Sequence, residues 1–452
     1  MVLTLFHSCN FLRGCAVRIT STFLIFLLIT SPSPAHAYSV LSHEEVVDLA
    51  WKDHIVPVLL WRFPKTTPEQ LTKAHAYAYG GCIIQDIGYY PHGSHYFSDL
   101  LHYVRTGDFV ENLINDASDV DELAFALGAL AHYNADVYGH PSVNKATADE
   151  YPKLRAKYGN EVTYDEDKVA HLQTEYGFDV VEVVHNRYAS QAYHDFIGFE
   201  VSKPLLERAF RETYGFEVKQ IMPKEDRAIG TYRKTVSSLI PRMTEVAVLQ
   251  YSKQIPTDNS SFDARKLRYR ISNAEFEKNW GNDYEKPRFS SRVLSAIVRI
   301  LPKVGPLKAL SLKMPSPDTQ QAFLESMNAT VDHYNQALAK LRSQPANRAM
   351  VDLPDRDLDT GQPSAPGEYK LADFTYARLL ATIVEKPGTP IPPALRTRLL
   401  DFYADGKRNH VEENPKEWQK TEQNLNLLRN AKLDQLKISD QQTETQQPAI
   451  AQ

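Results

Sequence analysis

The sequence predicts an all-α fold, a multi-helix bundle with a mostly helical C-terminal extension. Apolar residues recur at three- and four-residue spacing through most of the chain, and convincing strand-like alternation is scarce. Proline and small polar residues are gathered into a few stretches, Pro256 to Ser261, Leu353 to Tyr369 and Lys386 to Pro393, which read as loops between helical segments. With 452 residues, 42% hydrophobic and 24% charged, the composition is globular and allows two domains or one large one.

Residues 1–37 come first. They hold Arg13 and Arg18 but no acid, then the apolar run Phe23 to Ile29, then Pro32, Pro34 and the small-residue sequence Ala35-His36-Ala37. That order is a secretory signal with cleavage expected after Ala37, and the apolar core is too short for a membrane anchor. The expected destination is outside the cell or the periplasm. Cleavage removes Cys9 and Cys15 and leaves Cys82, so the mature chain has no internal disulfide, and Cys82 reads as a small buried hydrophobe. It also removes two basic residues, taking the formal charge of −5 further negative, and a mildly acidic body gives no strong nucleic-acid signal.

Helices are expected over Val40–Leu60, Thr67–Gly80, Tyr96–Val104, Asp119–Tyr138, Asp167–Phe196, Lys203–Tyr214 and Lys224–Tyr251. The helix near Asp119 opens with Ser118 and Asp121 in capping-box spacing, and Pro141 is expected to end it at His140. After the boundary at Pro256 to Ser261, helices are expected over Arg292–Ile300, Thr319–Arg342, Leu371–Val384 and Glu417–Leu436. The organisation is therefore a domain over 38–255, a helical accessory region over 262–436 and a disordered tail over 437–452, glutamine-rich from Gln441.

Eleven of the 15 histidines lie between His43 and His194, so the chemistry belongs to the first half. His132 and Asp136, Asp136 and His140, and His171 and Glu175 are each four apart, a spacing that stacks two side chains on one helix face and lets them share a cation. An ionised aspartate beside a histidine on a buried helix is costly unless paired or metal-bound. Asp179 extends the second row by another turn. The segment Gly80 to His95 supplies Asp86 and two further candidate ligands, His92 and His95. His43 lies five residues after Tyr38, whose amine cleavage would free, and an amine and a nearby imidazole can chelate together.

Four blocks carry a resemblance: Tyr38-Ser-Val-Leu-Ser-His43, the stretch from Asp86 through Ser94-His-Tyr-Phe-Ser-Asp99, Ala129-Leu-Ala-His-Tyr-Asn-Ala-Asp-Val-Tyr-Gly-His140, and His171-Leu-Gln-Thr-Glu175. Together they resemble the zinc-dependent phospholipase C family, whose fold is shared with trinuclear-zinc single-strand nucleases. The short gap between Asp136 and His140 is similar to that of the phospholipase D specific for glycosylphosphatidylinositol anchors. The resemblance spans Tyr38 to the early 200s and implies up to three zinc ions. Asp86, His95, His132 and Asp136 would hold one, His140, His171 and Glu175 the second, and Tyr38, His43 and a bridging Asp136 the third.

What the resemblance implies is hydrolysis of a phosphodiester by a metal-activated water, with Asp86 both ligand and proton acceptor. The substrate expected is a phospholipid at a membrane surface, with Tyr89, Tyr90, Tyr96 and Tyr133 as candidates to line a headgroup site. The stretch Phe289 to Met314, with Arg292, Arg299, Lys303, Lys308 and Lys313 among aliphatic residues, suits an anionic membrane. Glu at position 175 is more like the phospholipases than the nucleases. A nuclease or nucleotidase on the same cluster is the rival enzyme, and a non-catalytic helical metal-binding or scaffold protein is the alternative without chemistry.

Overall fold

A computed structural model describes residues 39–184, 198–236, 240–251, 312–345, 352–385, 391–404, 406 and 408–430. Tyr38, the signal segment, the proposed boundary loop, the Arg292–Ile300 helix, most of the basic Phe289–Met314 stretch and the C-terminal tail lie outside the described residues. The longer helices are α1 (Val40–Ala50), α2 (Pro68–Gly81), α3 (His95–Tyr103), α4 (Thr106–Asp116), α5 (Val120–Glu150), α6 (Lys168–Val184), α7 (Lys203–Tyr214), α8 (Glu225–Lys234), α9 (Ile240–Tyr251), α10 (Pro317–Arg342), α11 (Lys370–Val384), α12 (Pro393–Ala404) and α13 (Pro415–Asn430). Among the described residues there is no strand, only an isolated antiparallel bridge between Arg356 and Pro363. The fold is all-α, as the periodicity predicts.

Local chemistry explains the helix limits. A π-helical turn, Trp51–Ile55, follows α1 and leads into a short helix, Val56–Arg62. Pro57 cannot donate to the carbonyl four residues back, and the wider turn before it accommodates that loss. Helix α2 starts with a complete capping box, Thr67 and Gln70 each accepting from the other's backbone N–H, with Pro68 in the first turn. At α5 the cap is Asp119, which accepts from the Glu122 N–H at 2.8 Å, while Ser118 donates its hydroxyl to the Glu122 carboxylate. The box expected from Ser118 and Asp121 is thus shifted by one residue.

The central element is α5, and it differs from expectation at its end. It continues through Pro141 for 31 residues in all instead of stopping at His140. Proline there leaves the Val137 carbonyl without its intrahelical donor. Gly361 packs against that carbonyl so closely that a Cβ on it would lie 2.3 Å away. Burial of Val137, Gly139, His140, Val143 and Asn144 on the inward side holds the helix together where local propensity would break it. The periodicity does not predict helix α4, the short Pro152–Tyr158 helix or α12.

Helices α2 and α10 pack along opposite flanks of α5. The α2 crossing is unusually close, since a Cβ on Gly81 would fall 1.9 Å from the Phe125 carbonyl and one on Gly128 2.1 Å from that of Ala78. This close approach sets the Ile84–Tyr89 3-10 turn, and so Asp86, directly against α5. On the other flank, Leu324, Val331 and Tyr334 of α10 are fully buried, and the Tyr334 hydroxyl donates to the Leu127 carbonyl at 2.9 Å. One continuous hydrophobic core runs from Val40 of α1 to Leu428 of α13. Described residues before and after the sequence boundary therefore share this main core, beside two small clusters around Val180 and Tyr89.

Candidate metal centre

The site lies where α1, the 3-10 turn, α3, α5 and α6 converge. From α1 comes His43, from the turn Asp86, from α3 His102, from α5 His132, Asp136 and His140, and from α6 His171 and Glu175. All eight are buried, none more than 2% exposed. Their donor atoms form three groups in which each atom lies within 4.8 Å of the others: His43, His132 and Asp136; Asp86, His102 and His132; and His140, His171 and Glu175.

Helical spacing explains the partition. His132 and Asp136 stack one turn apart, with His132 Nε2 at 2.9 Å from Asp136 Oδ2. The second oxygen, Asp136 Oδ1, faces His43 Nε2 at 3.6 Å, and the His43 and His132 rings stack with centroids 4.3 Å apart. His102 Nε2 stands 3.3 Å from Asp86 Oδ1 and 3.6 Å from Asp136 Oδ2. His132 therefore belongs to two of the groups, and Asp136, a member of one, reaches the edge of the other through Oδ2. Two turns on from His132, the helix phase has drifted by about 80°, and His140 faces α6 instead. There its Nε2 is 3.8 Å from Glu175 Oε1, which in turn lies 2.8 Å from His171 Nε2.

Hydrogen bonds at the far side of four of the five rings fix which nitrogen is offered. Nδ1 of His102 donates to the Ser98 carbonyl at 2.8 Å, Nδ1 of His132 to the Cys82 carbonyl at 2.9 Å, and Nδ1 of His140 to the Leu358 carbonyl. His171 Nδ1 makes a longer approach of 3.5 Å to Val162. A carbonyl only accepts, so each Nδ1 must carry the proton, and the neutral ring presents a lone pair at Nε2. Backbone carbonyls behind the rings are the arrangement found behind metal-ligating histidines.

The donor set fits zinc. Three carboxylates without water would cost several kcal/mol each unless balanced by positive charge. His132 Nε2, both oxygens of Asp136 and His171 Nε2 make no hydrogen bond, although all are buried. Imidazole and carboxylate are ligands zinc accepts, and neighbouring ligands around a tetrahedral zinc lie about 3.4 Å apart. The facing atoms here are 2.8 to 3.8 Å apart. Electrostatics tells the same story. Burial lowers the His102 pKa, but the hydrogen bond and charge of Asp86, and then Asp136, outweigh it and push it up to about 10. Burial also opposes the charge of Asp136, yet His132, His140 and His43 hold its carboxyl below the usual value. At His171 burial wins and takes the ring down to about 4.

Residues 42–221 match the family model described as zinc dependent phospholipase C. The chain carries a zinc-dependent phospholipase C domain. A domain of that family implies phosphodiester hydrolysis. Comparison with curated proteins and with solved structures found no match.

Within the phospholipase C domain, the sequence reading is changed at one ligand. His95 begins α3 and is exposed, its ring edge-on to Tyr89, and takes no part in the groups. His102, two helical turns later, occupies the position beside Asp86. The helix begins at His95, and its deeper end brings His102 into the group with Asp86 and His132. A signal was present: His102 follows Leu100 and Leu101 and precedes Tyr103, on the buried side of an amphipathic helix. His92 is exposed, in a turn at φ +71°. Tyr38 lies outside the described residues, so its amine has no placement here.

The tyrosines divide. Tyr89 lies beside His102 and Tyr164, and Tyr164 beside His171, so these two border the converging groups. Tyr90 packs on Tyr232, Tyr96 hydrogen-bonds Thr382 of α11, and Tyr133 donates to the Pro354 carbonyl. Asp179 is fully buried and turned to the start of α1, accepting from the Leu41 and Ser42 N–H groups at 3.2 and 3.1 Å and from the Ser42 hydroxyl at 2.7 Å. It anchors the helix that carries His43.

Proposed function

We propose that the protein is an exported phospholipase C that hydrolyses phospholipid headgroups at a centre of up to three zinc ions. His43, Asp86, His102, His132, Asp136, His140, His171 and Glu175 are the proposed side-chain ligands. The single observation that carries this reading is the convergence of these buried groups, with His132 shared between two of them and Asp136 beside both, inside the segment matching the family. Export rests on the order of basic residues, apolar run and small-residue site in residues 1–37. Among the described residues, no helix is long and apolar enough to cross a membrane.

Zinc bound here supplies Lewis acidity toward the phosphate oxygens and a water acidified toward neutrality. The chain's own residues do the rest. Asp86, held by His102 and against α5, is the carboxylate positioned to accept the proton of the attacking water. The bond broken joins phosphorus to the diacylglycerol oxygen, and the departing oxygen takes up a proton. Tyr89 and Tyr164 form an aromatic wall at the site, and burial raises both phenols, so they remain neutral hydroxyls. A Lys168 ammonium already sits 4.9 Å from the Tyr164 centroid, and a headgroup amine would meet the same kind of π face.

Product identity tests the reading. Zinc-loaded mature protein is incubated with phosphatidylcholine vesicles and, separately, with single-stranded DNA. Diacylglycerol and phosphocholine are the expected products. Phosphatidate and choline would move the cut to the other phosphate bond, nucleotides would make it a nuclease, and no turnover in a fully zinc-loaded protein would overturn the enzyme reading.

A further inference from the structure

The family match ends at residue 221, yet the metal centre is in contact with a loop far beyond it. The stretch from Leu353 to Ser364 runs along α3, α4 and α5, bonded at almost every step. The Leu353 N–H donates to Glu111 at 2.7 Å, Tyr133 holds the Pro354 carbonyl, the Gly107 N–H donates to Asp355 at 3.1 Å, and Thr106 bonds both the N–H and the carbonyl of Arg356. Beyond the tip, the Ser364 hydroxyl returns to the Tyr103 carbonyl at 3.1 Å.

The tip, Asp357 to Gly361, is a tight turn inserted between two ligand-bearing helices. Asp357 Oδ1 accepts from the Asp359 and Thr360 N–H groups at 2.9 and 3.1 Å and sets the turn's shape. Leu358 bonds to both sides: its N–H donates to the carbonyl of His102 at 2.9 Å, and its carbonyl accepts from His140 Nδ1. Asp359 is 5% exposed, accepts from the Tyr103 and Tyr369 hydroxyls at 2.8 and 2.6 Å, and places Oδ1 4.0 Å from His140 Nδ1. Its carbonyl is held by Asn144 Nδ2, one turn beyond His140 on α5. Gly361, at φ +69°, closes the turn against the Val137 carbonyl that Pro141 leaves without a helical donor.

We infer that the Asp357–Gly361 loop, supplied by the chain's second half, is the positioning element of the metal centre: it fixes the tautomer and orientation of His140, so the family segment alone does not make a complete site. The inference rests on the proposed ligand role of His140. Five connections converge on a few residues around His140 and His102, more than a linker needs. The irregularity in α5 is the complement of the loop, because without proline at 141 the Val137 carbonyl would be bonded within the helix, and without glycine at 361 the turn would not reach it.

The test is zinc affinity in the full chain, read by chelator competition, together with the visible absorption of the cobalt(II)-substituted protein. Gly361→Ala puts a Cβ into the Val137 carbonyl and strains the positive φ. Asp359→Asn keeps the shape and removes the charge beside His140. Loss of a partner behind a ligating histidine typically costs 10–100-fold in metal affinity. Gly361→Ala is expected to show a loss in that range for one class of bound zinc and an altered cobalt spectrum, with helical circular dichroism unchanged. Asp359→Asn should shift both readouts in the same direction by less, and it decides the matter if Gly361→Ala does not fold. Wild-type affinity and spectrum in Asp359→Asn, or in a folded Gly361→Ala, would overturn the inference. A wild-type chain that binds zinc but releases no diacylglycerol would sink the phospholipase reading and leave this one standing, whereas one that binds no zinc would sink both.

Discussion

His102 Nε2 lies 3.3 Å from Asp86 Oδ1, each buried, although one comes from a helix and the other from the 3-10 turn before it. Separating these two side chains should dismantle one of the three groups. His102→Ala is expected to lower zinc affinity by more than about 10-fold, since even outer partners of a ligand cost that much. His95→Ala, at the exposed start of the same helix, should leave zinc binding within twofold of wild type. Zinc analysis after dialysis against a weak chelator separates the two, and equal losses would contradict the assignment.

Zinc binding should release protons. With its pKa pushed up to about 10, His102 carries a proton at neutral pH unless a cation replaces it. The sign follows: the raised pKa favours the protonated ring below pH 10, zinc must displace that proton, and affinity rises with pH. Calorimetric titration in buffers of different ionisation enthalpy should show net proton release at pH 7. No buffer dependence of the heat would contradict the charge state.

The Asp179 carboxyl is raised to about 6, because burial outweighs the hydrogen bonds from Ser39, Ser42 and Leu41. Its native pKa lies above the ordinary 3.8, so the native state holds the proton more tightly. Its contribution to stability is therefore complete below about pH 4 and is lost as the pH rises through 6, by at most about 3 kcal/mol. Asp179→Asn should flatten that segment of the Tm-against-pH curve. At neutral pH it should also loosen the start of α1 and weaken the His43 group while sparing the His140 group. Asp136→Asn, which touches two groups, should cost far more activity.

Leu324 is fully buried in α10, on the flank of α5. Leu324→Ala should cost about 2–5 kcal/mol, as for other buried leucines. With one core running from α1 to α13, the loss should appear in a single denaturation transition followed by tryptophan fluorescence. A separate transition for the second half, with the first half's midpoint unmoved, would contradict a shared core.

The sequence made the all-α class legible because helical periodicity is a local signal. The pairs His132/Asp136 and His171/Glu175 were legible for the same reason, as one turn of helix suffices to bring each together. His102 had only its place on the buried side of an amphipathic helix as a signal, because its approach to Asp86 depends on the fold of the 3-10 turn back onto that helix, where Ser98 bonds Gln85 and Gly88, a contact without a spacing rule. The continuation of α5 through Pro141 was hidden. Local sterics favour a stop there, and the packing that overrides them includes Gly361, from the second half of the chain. Leu358 contributes through main-chain atoms, which no side-chain motif reveals.

The central claim is that zinc held by these converging groups hydrolyses phospholipid. The most direct measurement titrates metal-free mature protein with zinc while recording, in the same sample, zinc bound and diacylglycerol released from phosphatidylcholine vesicles. The account predicts no release at zero zinc and a rate that climbs with bound zinc and plateaus at no more than about three equivalents, the capacity of a trinuclear centre with an open position for water. Diacylglycerol release from the metal-free protein, or none from the fully loaded one, would contradict it.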